Sequence, residues 1–112
     1  PYLSPCLRMI DNIYIYMHTR PIKFIWDHAK RESNLRKHGL DFADAHRVFA
    51  GPMAVYEDIS QDYGEPRTIG VGFLDSIVVL VVHVESDEII RIISMRRADK
   101  NEADLFFEEF GL

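Results

Sequence analysis

The apolar positions of this chain change period several times, and each change predicts an element. A short run over 22–26 (Ile22, Phe24, Ile25, Trp26) reads as a strand. Asp27 then supplies an N-cap for a helix over 28–37, which Gly39 closes in the left-handed C′ position. Asp41 opens a second helix, in which Phe42, Ala45, Val48 and Phe49 form one apolar stripe until Gly51-Pro52 stops it. Strand patterns follow over 67–73, 77–84 and 89–95, preceded by one over 53–57. The connections 74–76 and 85–88 are short enough for hairpins, so the sheet is expected to be mainly an antiparallel meander. Both alternating sets of 77–82 are apolar, which marks a central strand covered on both faces. Asp99 and Glu102 have the spacing of a capping box, and the helix they open carries Ala103, Phe106, Phe107 and Phe110. Three aromatics within five positions cannot share one buried stripe, which leaves Phe107 as a candidate for partner contact. The expected order is β-α-α-β-β-β-β-α: a small α+β domain whose helices pack on one sheet.

The chain has 112 residues, enough for one domain, which is placed at 21–112. Residues 1–20 show poor periodicity and two prolines; they are expected to be an extended tail, or sequence upstream of the natural start, outside the core. Apolar residues make up 47% and charged residues 28%, a balance that argues against a disordered chain. The lone Cys6 can make no internal disulfide, and no cysteine cluster could build a zinc site; no metal or other cofactor is expected. The longest strictly apolar run, 77–82, is far too short to cross a bilayer, and the start does not read as a secretory signal. The expected location is the cytoplasm, with no membrane partner.

The formal charge is −5, which taken alone argues against a nucleic-acid partner. Its distribution changes that picture. Residues 20–47 hold seven cations against four anions, and Arg91, Arg96 and Arg97 add a second basic island without an acid. Local sign decides what a cleft attracts, so two islands could make one focused anion site. The competing account is two solvated surfaces with neighbouring counter-ions.

Several residues then become candidates for chemistry. Lys30, Asn34, Lys37 and His38 fall on one face of the first helix and could hold phosphate, although Lys37 and His38 also simply suit the negative end of a helix dipole. Trp26 could stack on a base or pack beneath the helix it precedes. His83 interrupts an apolar strand, and a three-residue loop over 86–88 would place Arg91 directly across from it. An arginine there would favour the neutral imidazole that a general base needs. Arg96 and Arg97 point to opposite faces, so only one of them easily joins a given cleft. Glu65 and Arg67 could add a carboxylate base and a further clamp, or merely pair with each other. A carboxylate, a histidine and several arginines would suit RNA cleavage by the internal 2′-hydroxyl.

Three segments together resemble a known pattern: FIWDHAKRESNLRKHGLDF over 24–42, GEPR over 64–67 and RIISMRRA over 91–98. They look like the BrnT family of type II toxin–antitoxin toxins. The resemblance spans about 22–103; its first motif is long and specific, whereas GEPR alone would mean nothing. It implies a RelE-like fold and a metal-independent ribonuclease that arrests translation. It also implies a ribbon-helix-helix antitoxin as partner, with operator DNA met only through the toxin–antitoxin complex. The family pattern falls on Trp26, Asp27, Lys30, Asn34, Lys37, His38, Gly39, Phe42, Glu65, Arg67, Arg91, Arg96 and Arg97. Met95 departs from it, standing where the family usually has a small residue.

Two readings follow. In the first, Arg67 and Arg96 stabilise the transition-state phosphate, with Arg91 or Arg97 assisting. His83 or Glu65 takes the 2′-hydroxyl proton, while Trp26, Lys30, Asn34, Lys37, His38 and Arg97 contact RNA. In the second, the chain is a non-catalytic RNA- or antitoxin-binding module that acts as a co-repressor.

Overall fold

In the computed structural model the chain is described over residues 7–10, 13–16, 22–59, 62 and 64–111; Cys6 and Met17 lie outside these. Among the described residues one sheet of seven strands carries the rest: β1 (Leu7–Ile10), β2 (Ile13–Tyr16), β3 (Lys23–Trp26), β4 (Met53–Glu57), β5 (Thr68–Leu74), β6 (Ile77–Ser86) and β7 (Ile89–Arg97). The helices are α1 (His28–His38), α2 (Ala45–Phe49) and α3 (Lys100–Phe110). The spatial order is β1-β2-β4-β5-β6-β7-β3. β4 to β7 form the expected antiparallel meander, but β3 pairs with β7 in parallel through Lys23–Ile89 to Trp26–Ile92, so the sheet is mixed. Chain order permits the parallel pairing: β3 is separated from β7 by all the intervening elements, long enough for a crossover.

Two elements differ from the expected order. Strands β1 and β2 arise within 1–20, pair antiparallel, and meet the sheet edge through Tyr14–Met53. The stretch expected to be one helix from Asp41 begins instead as a 3-10 turn over Phe42–Asp44, capped by the Asp41 side chain on Ala43 N–H, before α2 starts.

β6 is the central strand, and its period of two divides the core. Val79 and Val81 join Phe42, Ala45, Val48, Phe49, Met53, Ile90, Ile92 and Met95 on the α2 side. Val78 and Leu80 join Ala54, Val71 and Phe106 on the α3 side, with Phe73, Phe107 and Phe110 packed against them. Each fully buried large apolar side chain contributes about 1.5–3 kcal/mol, so the two clusters are the main stabilising force. Phe107, the candidate for partner contact, lies against Phe73 and Phe106, with ring centroids 6.1 and 5.9 Å away. Gly72 admits α2 close to the sheet: a Cβ there would stand 3.0 Å from Val48 Cγ1 and 3.3 Å from the Pro52 carbonyl.

α1 is held differently, because its sequence offers little to bury. Asn34 is its one buried residue. Two polar links dock it: Asn34 to β7, described below, and Arg31, whose Nε and Nη2 grip the two Asp41 carboxylate oxygens at 2.8 and 2.9 Å. That guanidinium holds the Asp41 carboxyl well down, at about 2.

The β6–β7 hairpin fixes where chemistry can occur. Ser86 pairs with Ile89, leaving a two-residue turn of Asp87 (φ 49°) and Glu88 rather than three residues. His83 therefore faces Ile92, and Arg91 faces Val84. The expected juxtaposition of His83 and Arg91 does not form. Paired residues share a face and neighbours alternate, so His83 lies on the α2 side and Arg91 on the α3 side. A bulge then absorbs Ile93, since Val82 pairs with Ser94.

Candidate functional site

Three of the residues expected to meet RNA point inward. His83 is 0% exposed, packs edge-on against Phe49 at 4.9 Å, and holds Nδ1 3.3 Å from the Val81 carbonyl. Burial pushes its imidazole down to about 4, so it is neutral at pH 7, as expected, but through desolvation rather than a neighbouring arginine. A fully buried ring on the α2 side is not placed to receive a proton from a 2′-hydroxyl. Asn34 is also buried: its Nδ2 donates to the Leu40 and Met95 carbonyls at 3.2 and 2.9 Å, and its Oδ1 accepts from Met95 N–H at 3.1 Å. These bonds use both amide protons, so Asn34 is a clamp between α1 and β7. Trp26, half-buried, packs against the α2-side core.

The arginines define the outward chemistry. Leu80 faces Arg96 and Val84 faces Arg91, so both arginines rise from the α3 side of the sheet. Their β6 partners are four positions apart, about 13 Å of strand. Thr68 pairs with His83, which aligns Arg67, one residue earlier and half-buried, with Val84 and Arg91. Glu65 forms an ion pair with Arg91, and both side chains are 36% exposed. A carboxylate and two guanidinium groups thus share one end of the α3 side of the sheet. At the other end Arg96 is gripped by Glu102, Nη1–Oε1 at 2.8 Å and Nη2–Oε2 at 2.7 Å. That pairing raises the Arg96 pKa and lowers the Glu102 carboxyl to about 2. Arg97 pairs with Val79, on the opposite side of β7 from Arg96, and is exposed at the strand end, where it borders a hollow with Ser76, Ile77, Ala103 and Phe107.

The basic helix makes a separate surface. Lys30, Ser33, Asn34, Lys37 and His38 line a hollow of about 240 Å³ with Ile93 and Ser94 of β7, and no carboxylate is among the described residues that border it. It forms where β3 ends at the Trp26–Ile92 pair, which leaves the outer edge of β7 open. Ser94 pairs with Val82 on the arginine side, so the hollow meets the arginine face around that edge. A larger hollow of about 560 Å³ is lined by Glu57, Asp58, Asp62 and Glu65; the first three repel phosphate, while Glu65 is ion-paired with Arg91.

Sequence reasoning missed Ser94 and the engagement of Arg96 by Glu102. The second left a signal: Glu102 stands six residues after Arg96, on the first turn of a helix that must fold back over the sheet.

A ribonuclease toxin is the class this frame matches. The family model described as the ribonuclease toxin BrnT of type II toxin–antitoxin systems covers residues 26–102, and the chain belongs to that family. Among solved structures, the 1.1 Å crystal structure of the Brucella abortus ribonuclease toxin BrnT is 30% identical, with a TM-score of 0.57, over 70% of this chain and 99% of that one. A comparison with curated protein sequences gives no match. Membership in a toxin–antitoxin family implies an antitoxin partner. Among the described residues, no helix is long and apolar enough to cross a membrane.

Proposed function

We propose that the chain is a metal-independent endoribonuclease that cuts RNA by internal 2′-hydroxyl attack and so arrests translation. The observation that carries this reading is the contact of Glu65 with Arg91 in the row that also holds Arg67. Glu65 accepts the proton of the 2′-hydroxyl as its oxygen attacks phosphorus. The bond from phosphorus to the 5′-oxygen breaks, leaving a 2′,3′-cyclic phosphate and a 5′-hydroxyl that takes its proton from water. Arg67 and Arg91 carry donors that stabilise the charge growing on the non-bridging oxygens, and Arg96, at the other end of the face, takes a neighbouring phosphate instead of the reacting one. Lys30, Lys37 and His38 hold neighbouring phosphates along the α1 hollow. His83, Asn34 and Trp26 support the fold in this reading, and Arg97 lies outside the reacting group.

Regulation follows from charge. With a net charge of −5, the toxin is a poor DNA reader by itself. A ribbon-helix-helix antitoxin would supply DNA contact, so that operator DNA binds only the complex, in the cytoplasm. The chain's overall arrangement is read as the RelE-like one, with 21–112 as the toxin domain.

The test is incubation of the purified chain with a structured RNA in EDTA, beside the Arg67→Ala and Arg91→Ala variants. New cyclic-phosphate ends, lost in both folded variants, are the expected result. Parent-rate cleavage by both variants would remove the arginines from the mechanism. RNA binding without new ends in any sample would favour the non-catalytic module.

A further inference from the structure

Arg96 presents its two terminal nitrogens to the two oxygens of Glu102, side by side. A guanidinium takes a phosphate through the same pair of parallel donors. The carboxylate therefore fills the place on Arg96 that a phosphodiester would occupy. Burial does not fix it there, since the two side chains are 42% and 28% exposed. The start of α3 does. Asp99 N–H donates to Glu102 Oε1 at 2.9 Å, and Asp99 Oδ1 accepts from Glu102 N–H at 2.8 Å. One carboxylate thus closes the capping box and covers the arginine.

We propose that Glu102 is a built-in phosphate mimic, so that the first turn of α3 competes with an RNA phosphate for Arg96 and keeps this end of the arginine face occupied until a phosphate displaces it. The inference rests on the reading of that face as an RNA site and names the regulation of the same site. Displacement does not require α3 to unfold. Asp99 still caps the helix when the Glu102 side chain swings away, and Phe106, 1% exposed, still anchors it to the sheet. A half-exposed ion pair is weak enough to yield to a phosphate of the same charge. The Arg91–Glu65 pair is arranged differently, because Glu65 sits in a loop and its exchange leaves every helix cap intact.

Glu102→Gln separates the two jobs of this residue. Glutamine keeps the shape and the capping-box acceptor, and removes the charge. Glu108→Gln, exposed on the same helix, controls for a general change in net charge. The probes are a short single-stranded RNA and inorganic phosphate, with binding measured across a salt series. Glu102→Gln should bind RNA roughly fivefold tighter than Glu108→Gln, with a salt slope steeper by about 0.7. The gain should vanish when Arg96→Gln is added. Glu102→Asp, too short to span both nitrogens, should give a smaller gain of the same sign, and it serves where the glutamine variant folds poorly. Equal affinity of Glu102→Gln and Glu108→Gln for both probes overturns the mimic. RNA bound equally by both overturns it while the RNA site survives. Tighter phosphate binding with no RNA bound by any chain sustains the mimic and removes the RNA reading instead.

Discussion

The Asn34 carboxamide bonds both backbone groups of Met95, donating to its carbonyl at 2.9 Å and accepting from its N–H at 3.1 Å. A side chain thereby continues the ladder of β7 beyond the point where β3 leaves it at Trp26–Ile92. Because α1 has no other buried residue, this is the main tie between the basic helix and the sheet.

Asn34→Ala should therefore behave as a stability variant. It strands the N–H and C=O of Met95 and one bond to the Leu40 carbonyl, at a cost of about 3 kcal/mol in urea unfolding. RNA affinity of the folded fraction should stay unchanged, since both amide protons of Asn34 are spent on backbone carbonyls. A folded Asn34→Ala chain with full stability and weaker RNA binding would return Asn34 to the RNA surface.

The buried His83 makes stability depend on pH over a definite window. Its folded pKa, about 4, lies below the ordinary histidine value of 6.5, so the unfolded chain binds the extra proton first. The stabilisation is complete above pH 6.5 and is lost as pH falls towards 4, by about 3 kcal/mol. Asp41 and Glu102, both held at about 2, have the same sign but act lower: their contribution is complete above the ordinary carboxylate range and disappears as pH falls to about 2. Urea unfolding from pH 8 to 3 should show both limbs. His83→Gln should flatten the upper limb and leave the lower one.

The contrast between Asn34 and Arg96 explains what could be read from the sequence. Capping residues, turn residues and the double apolar pattern of 77–82 are local signals, and Asp27, Asp99, Gly39 and the central β6 appear where they place them. Register is not local. One residue fewer in the Asp87–Glu88 turn moved Arg91 from His83 to Val84 and across to the other face. Helix periodicity put Asn34 in line with Lys30 and Lys37, but could not tell that β3 ends early and leaves Met95 open to an amide. The IYIY run of β2 has strand propensity, yet a stretch bounded by polar residues and prolines gives no view of the β4 edge it joins. Motif residues were legible as a set; their division between interior and surface needed the sheet.

Glu65 and Arg91 should be separable by kinetics. Glu65→Gln removes the proposed base while easing the charge beside Arg91, so cleavage should fall by about 100-fold with RNA affinity equal or tighter. Arg91→Lys keeps the charge but loses the forked donors, and both cleavage and affinity should fall. Single-turnover cleavage and equilibrium RNA binding on the same proteins check the pair. Cleavage by Glu65→Gln at the parent rate would remove that carboxylate as the base.

Lys30 and Lys37 test whether RNA runs around the open edge of β7. They border the hollow that meets the arginine face at Ser94, and both are exposed on a helix whose docking depends on Asn34 and Arg31. Removing them should leave folding almost untouched, because an exposed lysine contributes little to stability. Each single-stranded phosphate that a lysine no longer neutralises lowers the magnitude of the salt slope by about 0.7, so Lys30→Ala with Lys37→Ala should reduce it by about 1.4. The reduction should appear with an RNA long enough to reach both surfaces, and disappear with a dinucleotide that fits the arginine face alone. Binding of the longer RNA with an unchanged slope would confine the interface to the α3 side of the sheet, and the basic face of α1 would then be a solvated surface.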